Sequence, residues 1–127
     1  MGLFKKTTKP SQQAYAVVTG AGSGIGQSFA LALGKRGGTV VCADINLAAA
    51  EKTVALLAEH GAKAYAVACD VGQAEQVADL AEQAEQLMQH PVTLVINNAG
   101  VGLGGKFDEL SLEDWQWVTH VNLWGVI

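Results

Sequence analysis

Positive charge is scarce in this sequence. Eight Lys and Arg stand against twelve Asp and Glu, a formal net charge of −4 over 127 residues. Nucleic-acid-binding proteins gather basic residues into a patch or stripe. Here Lys5, Lys6 and Lys9 are the nearest thing to one, and on a polar amino terminus they read as a solvated tail, so no nucleic acid is expected as a partner. Long apolar runs are missing too. None approaches the ~20 residues a membrane span requires, and no apolar segment near the start reads as a secretion signal. The opening Met-Gly-Leu-Phe-Lys-Lys has Lys6 where a myristoylation signal needs Ser or Thr. No membrane association is expected, and the chain reads as cytoplasmic. Cysteines number two. Cys42 and Cys69 both fall in segments expected to be buried strands, where they read as small core residues rather than redox groups. His60, His90 and His120 have no metal-pair spacing, so no metal site is expected.

What is abundant is apolar surface and glycine: half the residues are hydrophobic and 15 are Gly. Residues 1–13 read as a flexible lead-in. Tyr15-Ala-Val-Val-Thr19 is then a nearly continuous apolar run, the pattern of a strand covered on both faces. A glycine-rich turn follows, then a helix from Gln27 to about Arg36 that ends at Gly37-Gly38. Thr39 to Asp44 is a second strand, and Asn46 can cap a helix carrying Leu47, Ala50, Val54 and Leu57. Lys63 to Asp70 is a third strand and Gln73 to Gln89 a third helix, with Val77, Leu80, Ala84 and Met88 on its apolar face. Val92 to Asn97 is a fourth strand. Ser111 and Asp114 are spaced as a capping box for a last helix, which runs toward Ile127. Strands alternating with helices predict an α/β fold of Rossmann type: a doubly wound parallel sheet of four strands, order 3-2-1-4, with helices on both faces.

The turn Thr19-Gly20-Ala21-Gly22-Ser23-Gly24-Ile25-Gly26 joins strand to helix, where a sharp bend and a close phosphate both favour glycine. Three ligand classes use such a turn. A nucleoside-triphosphate loop fails, because Ala21 and Gln27 occupy the places of its first Gly and its Lys. An S-adenosylmethionine site, as in a methyltransferase, shares the Gly-x-Gly-x-Gly form of Gly22 to Gly26 but wants an acid just before the glycines, where Thr19-Gly20 stands. For a dinucleotide, Asp44 lies about where a ribose-binding acid is expected. Its carboxylate suits the free hydroxyls of NAD and opposes the 2′-phosphate of NADP. Ile45 follows it rather than Arg, so NAD(H) is expected over NADP(H).

Thr-Gly-x-x-x-Gly-Ile-Gly is also the form used by the short-chain dehydrogenase/reductase family, and the chain resembles that family from about Tyr15 to Ile127. Asp44, Cys69-Asp70-Val71, Asn97-Asn98-Ala99-Gly100 and Val121-Asn122-Leu123 fall in the family's order. The resemblance implies hydride transfer between a nicotinamide and a small alcohol or ketone substrate. It assigns cofactor binding to Thr19, Gly20, Gly22, Ser23, Gly24, Ile25, Gly26, Asp44, Ile45, Asp70, Val71, Asn98, Ala99 and Gly100. Asn122 is implied to hold a water in a proton relay. A homo-oligomer is implied, with the last helix forming part of the subunit contact; Trp115, Trp117 and Trp124 otherwise read as packing residues.

The family's catalytic Tyr-x-x-x-Lys is not found. The two tyrosines, Tyr15 and Tyr65, are followed four residues later by Thr19 and Cys69. The expectation is therefore a cofactor-binding half, residues 14–127, cut within the helix after the fourth strand and inactive alone. The open edge of that strand is expected to make it marginally stable and prone to association. A non-catalytic nucleotide-binding fragment is the alternative from a different class.

Overall fold

A computed structural model of the protein describes residues 7–127. Residues 1–6 of the expected lead-in, with Lys5, Lys6 and the opening motif, lie outside the described residues. The rest of the lead-in has no helix or strand, but its end is anchored: Gln13 N–H donates to the Arg36 carbonyl at 3.1 Å.

The chain alternates β1 (Tyr15–Thr19), α1 (Gly24–Lys35), β2 (Thr39–Asp44), α2 (Leu47–Glu59), β3 (Ala64–Ala68), α3 (Ala74–Met88) and β4 (Leu94–Ile96). A short 3-10 turn at Phe107–Glu109 leads into α4 (Leu112–Thr119) and a π-helical turn at His120–Trp124. The sheet has the order β3-β2-β1-β4, the expected one, and every pairing is parallel. Val17 is aligned with Val41 on one side and Val95 on the other.

Alternate residues of the central strands feed two cores. Ala16, Val18, Val40 and Cys42 pack with Ala30 and Leu33 of α1 and Ala50 and Leu57 of α2. Val17, Val41, Ala43 and Val67 pack on the opposite face with Leu80, Ala84 and Met88 of α3 and with Val121. Both faces of the parallel sheet are thus covered, as apolar strands of this kind require. Burial pushes the Cys42 thiol up to about 12. Cys69 lies one residue past β3, buried, its thiol also raised by burial and by the neighbouring Asp70.

Several expected boundaries shift. α1 starts at Gly24, not Gln27, because Gln27 N–H already closes on the Ser23 carbonyl at 3.2 Å. The turn's last glycines therefore form the helix's first turn. β4 pairs over three residues rather than six, since β1 lies on one side and no other strand on the other among the described residues. Val95 is consequently 52% exposed. The last helix does not continue to Ile127. It widens after Thr119, and Gly125 N–H reaches back five residues to the His120 carbonyl at 2.9 Å. Gly125 is packed so that a Cβ would meet the Val121 carbonyl at 2.4 Å and Val71 Cγ2 at 2.9 Å. Ser111 and Asp114 do form the expected capping box, which holds the Asp114 carboxyl below the usual range. No helix among the described residues is long and apolar enough to cross a membrane.

Candidate functional site

The carboxyl ends of the strands open into a cleft of about 540 Å³. Gly20, Ser23, Gly24 and Ile25 form one wall, Asp44 and Ile45 the end of β2, Cys69 to Val71 the end of β3, and Asn98 to Val101 the segment after β4. Trp117 and Val121 close it from α4 and the turn that follows. Open α/β sheets place ligands at such strand ends. The residues expected at the site are therefore brought together around one cleft, apart from Thr19, Gly22, Gly26 and Asn122, which do not line it.

The glycines of the turn do different jobs. A Cβ on Gly26 would fall 2.1 Å from the Gly20 carbonyl oxygen and 2.5 Å from Asn98 Nδ2. One on Gly22 would meet Ala49 Cβ at 2.6 Å and Asp44 Oδ2 at 2.7 Å. These two are glycine because the protein itself fills the space. Gly24 differs: its φ is +54° and no atom lies within 4 Å of its Cβ direction. It is the place where a ligand can come up to the backbone. Ser23 is exposed at the N-cap of α1 and does not cap the helix with its own hydroxyl. The first N–H groups of α1 have no partner within the helix, and with the helix dipole they favour an anion.

Asp44 is held rather than loose. Its Oδ2 accepts from Gly22 N–H at 2.8 Å and its Oδ1 from Asn46 N–H at 2.9 Å. Each oxygen keeps a lone pair for a ligand hydroxyl. Asp70 does not cap α3. Its Oδ1 accepts from Gly72 N–H at 2.9 Å, and Gln73 stands at the cap position. The Asp70 N–H donates to Gln76 Oε1 at 2.8 Å.

The third wall is tied to the first by side chains. Thr19 Oγ1 accepts from the N–H groups of Asn98 and Ala99, each at 3.1 Å. Asn98 Nδ2 donates to the carbonyls of Thr19 at 3.1 Å and Gly20 at 3.3 Å. Thr19 is buried, so its hydroxyl serves the frame of the cleft. Asn97, by contrast, is exposed and lines a separate apolar groove with Val92 and Val95. Asn122 Oδ1 accepts from Val101 N–H and its Nδ2 donates to the Val101 carbonyl, both at 2.8 Å.

Trp117 corrects an expectation. Read from the sequence as a packing residue, it is 47% exposed and faces the cleft beside Asp70 and Val101. Helical spacing could have raised it: it precedes Val121 by four residues, so both lie on one helix face. The ionisable side chains lining the cleft are Asp44, Cys69 and Asp70, with no Lys or Arg among them. No group of three His, Cys, Asp or Glu among the described residues is suited to a metal ion.

Comparison with known proteins sets this cleft in a family. The sequence profile described as short chain dehydrogenase matches residues 14–127. A probable oxidoreductase, EphD, of Mycobacterium tuberculosis is 42% identical over 111 residues, 87% of this chain and 18% of that protein. A cyclohexanol dehydrogenase of an Acinetobacter species is 42% identical over 109 residues, 85% of this chain and 43% of that one. Among solved structures, a short chain dehydrogenase/reductase from Burkholderia phymatum in complex with NAD superposes with a TM-score of 0.87 at 40% identity. That match covers 94% of this chain and 42% of the other. The chain thus spans less than half the length of each of these relatives.

Proposed function

Since the chain belongs to the short chain dehydrogenase family, we propose that it is the cofactor-binding half of an NAD(H)-dependent oxidoreductase acting on a small alcohol or ketone. The observation that carries the cofactor assignment is the acid at the end of β2 in a cleft without a base. Asp44 lines the cleft with Ile45 beside it, and no Lys or Arg lines it. A 2′-phosphate brought to this wall would meet a carboxylate with no cation to offset it. A 2′-hydroxyl would donate to that carboxylate.

The residues present fit a dinucleotide. Gly24 leaves room against the backbone, and the α1 N-terminus with Ser23 supplies donors for a pyrophosphate. Asp44 would take the adenosine ribose. Asp70 and Val71, at the end of β3, would border the adenine, with Trp117 across the cleft. Asn98, Ala99 and Gly100 would line the side toward the nicotinamide, which when bound supplies the hydride-carrying carbon. Asn98 and Thr19 keep the two walls at a fixed separation, so little ordering is left to be done on binding.

In the family's chemistry a Tyr donates or accepts the substrate proton, its pKa lowered by a neighbouring Lys, and a Ser orients the substrate oxygen. We assign those three groups to the part of the family's length that this chain does not span. Asn122 would then serve the relay from a fixed place, because its amide is already bonded to Val101. A homo-oligomer and a cytoplasmic location belong to the same reading. The test is to sequence the coding region past the Ile127 codon and assay the complete product with NAD(H) and NADP(H) against a panel of alcohols and ketones. Turnover with NAD(H) preferred is the expected result. Turnover with NADP(H) preferred overturns the cofactor assignment, and binding without turnover leaves a nucleotide-binding protein.

A further inference from the structure

α2 presents an apolar face to the sheet, built on Ala50 and Leu57, and one polar side chain lies within it. Thr53 is 0% exposed. A hydroxyl in that position costs stability unless it is hydrogen-bonded. A helical Thr ordinarily satisfies itself on the carbonyl four residues back. Here that contact, to the Ala49 carbonyl, is 3.4 Å, whereas the Ala21 carbonyl in the glycine turn lies 2.8 Å away. The hydroxyl is aimed off its own helix. Gln27, in the early part of α1, donates through Nε2 to Thr53 Oγ1 at 3.0 Å. With that lone pair used, the single hydroxyl hydrogen is directed to the loop.

The peptide unit between Ala21 and Gly22 is gripped at both ends. Thr53 holds its carbonyl, and the Asp44 carboxylate holds its N–H at 2.8 Å. Rotating this peptide would turn a carbonyl oxygen toward the Asp44 carboxylate. The orientation of Asp44, and with it the wall assigned to the ribose, is therefore coupled to a buried hydroxyl on α2.

We propose that Thr53 is a positioning residue for cofactor binding: its hydroxyl, directed by Gln27, fixes the Ala21–Gly22 peptide and so presets the glycine turn and Asp44. This rests on the reading of the cleft as a dinucleotide site. Thr53→Val keeps the shape and removes the hydrogen bonds; Thr53→Ser keeps the hydroxyl. Two quantities are measured on each: NADH affinity by fluorescence titration, and amide hydrogen exchange across residues 20–27 without ligand. The loss of one buried hydrogen bond predicts NADH binding weakened roughly five- to tenfold in Thr53→Val, faster exchange in the turn, and near-normal behaviour in Thr53→Ser. Leu57→Val, buried in the same helix, is the control; it should lower the melting temperature without changing affinity. Gln27→Met, at a half-buried position, should act in the same direction with a smaller effect, and remains informative if Thr53→Val fails to fold.

Unchanged affinity and exchange in both Thr53→Val and Gln27→Met would overturn the proposal. So would an equal loss of affinity in Leu57→Val, which would make the effect one of general loosening. If the unsubstituted chain does not bind NADH, the dinucleotide reading fails and the cofactor role of Thr53 fails with it. Exchange in the unliganded turn still shows in that case whether Thr53 holds the loop.

Discussion

The side-chain amide of Asn122 pairs with the main chain of Val101 as a neighbouring strand would, accepting from its N–H and donating to its carbonyl, both at 2.8 Å. The two residues are 21 apart in sequence and belong to elements of different kind. The pairing accompanies the widening of the last helix after Thr119, a type of distortion that often marks a functional site. It fastens the glycine-rich segment after β4, where Gly102 and Gly104 have open space around them.

Asn122→Ala should free that segment. Two exposed hydrogen bonds are lost, so stability should fall by about 1–2 kcal/mol in a denaturant melt. Exchange of the Val101 amide should speed up markedly. A Val101 amide as protected as before would show that the segment is held by something else.

Asp44→Ala should weaken NADH binding by roughly 1–3 kcal/mol, the value of hydrogen bonds to a charged group. The same substitution removes the repulsion toward a 2′-phosphate, so NADPH should lose less affinity than NADH, or gain. Titration of both cofactors against both proteins reads this directly. Unchanged NADH affinity would remove Asp44 from the site.

Gly26→Ala and Gly102→Ala should behave in opposite ways. The first places a methyl 2.1 Å from the Gly20 carbonyl oxygen, so the turn must be displaced; a loss of about 3 kcal/mol and of NADH binding is expected. The second enters open space and should change stability by less than about 0.5 kcal/mol. Thermal melts of the two variants side by side provide the check.

Cys42 should be silent toward a thiol reagent in the folded protein at pH 8 and react after unfolding, because burial pushes its pKa up to about 12. The folded value lies above the unfolded one. Its contribution to stability is thus fully present below the ordinary thiol pKa and lost as pH rises from there toward 12. Cys42→Ala should flatten this alkaline decline. A Cys42 thiol modified at its unfolded rate at pH 8 would mean that the sheet opens readily at β2.

Much of this arrangement is legible in the residues. Tyr15–Thr19 and Thr39–Asp44 are apolar runs, the first followed by Gly20 and the second preceded by Gly38, and their place in a parallel sheet follows from that pattern. The capping boundary at Ser111 and the cap at Asn46 are local chemistry, and local chemistry survives folding. What cannot be read is the use to which a polar atom is put once distant segments meet. Thr19 has the look of a ligand contact, yet its hydroxyl is taken by backbone 79 and 80 residues away. Thr53 looks like an ordinary helix residue, and Trp117 like one more aromatic on an amphipathic helix. Their roles depend on which neighbour the fold brings within 3 Å, or on which side of a helix faces the cleft. The shortening of β4 has the same origin, since a strand's paired length depends on what lies beside it.

The ties between Thr19 and Asn98 also have a consequence for the order of events during synthesis. The glycine turn, Asp44 and Thr53 all lie within one stretch of chain, and their mutual contacts need only short loops to close. The wall carrying Asn98 joins them through links of 78 to 80 residues. Contacts of such long range form late, since the entropy of closing the chain must be met first. As the chain leaves the ribosome, the wall carrying the glycine turn and Asp44 can take shape while the wall carrying Asn98 is still being made.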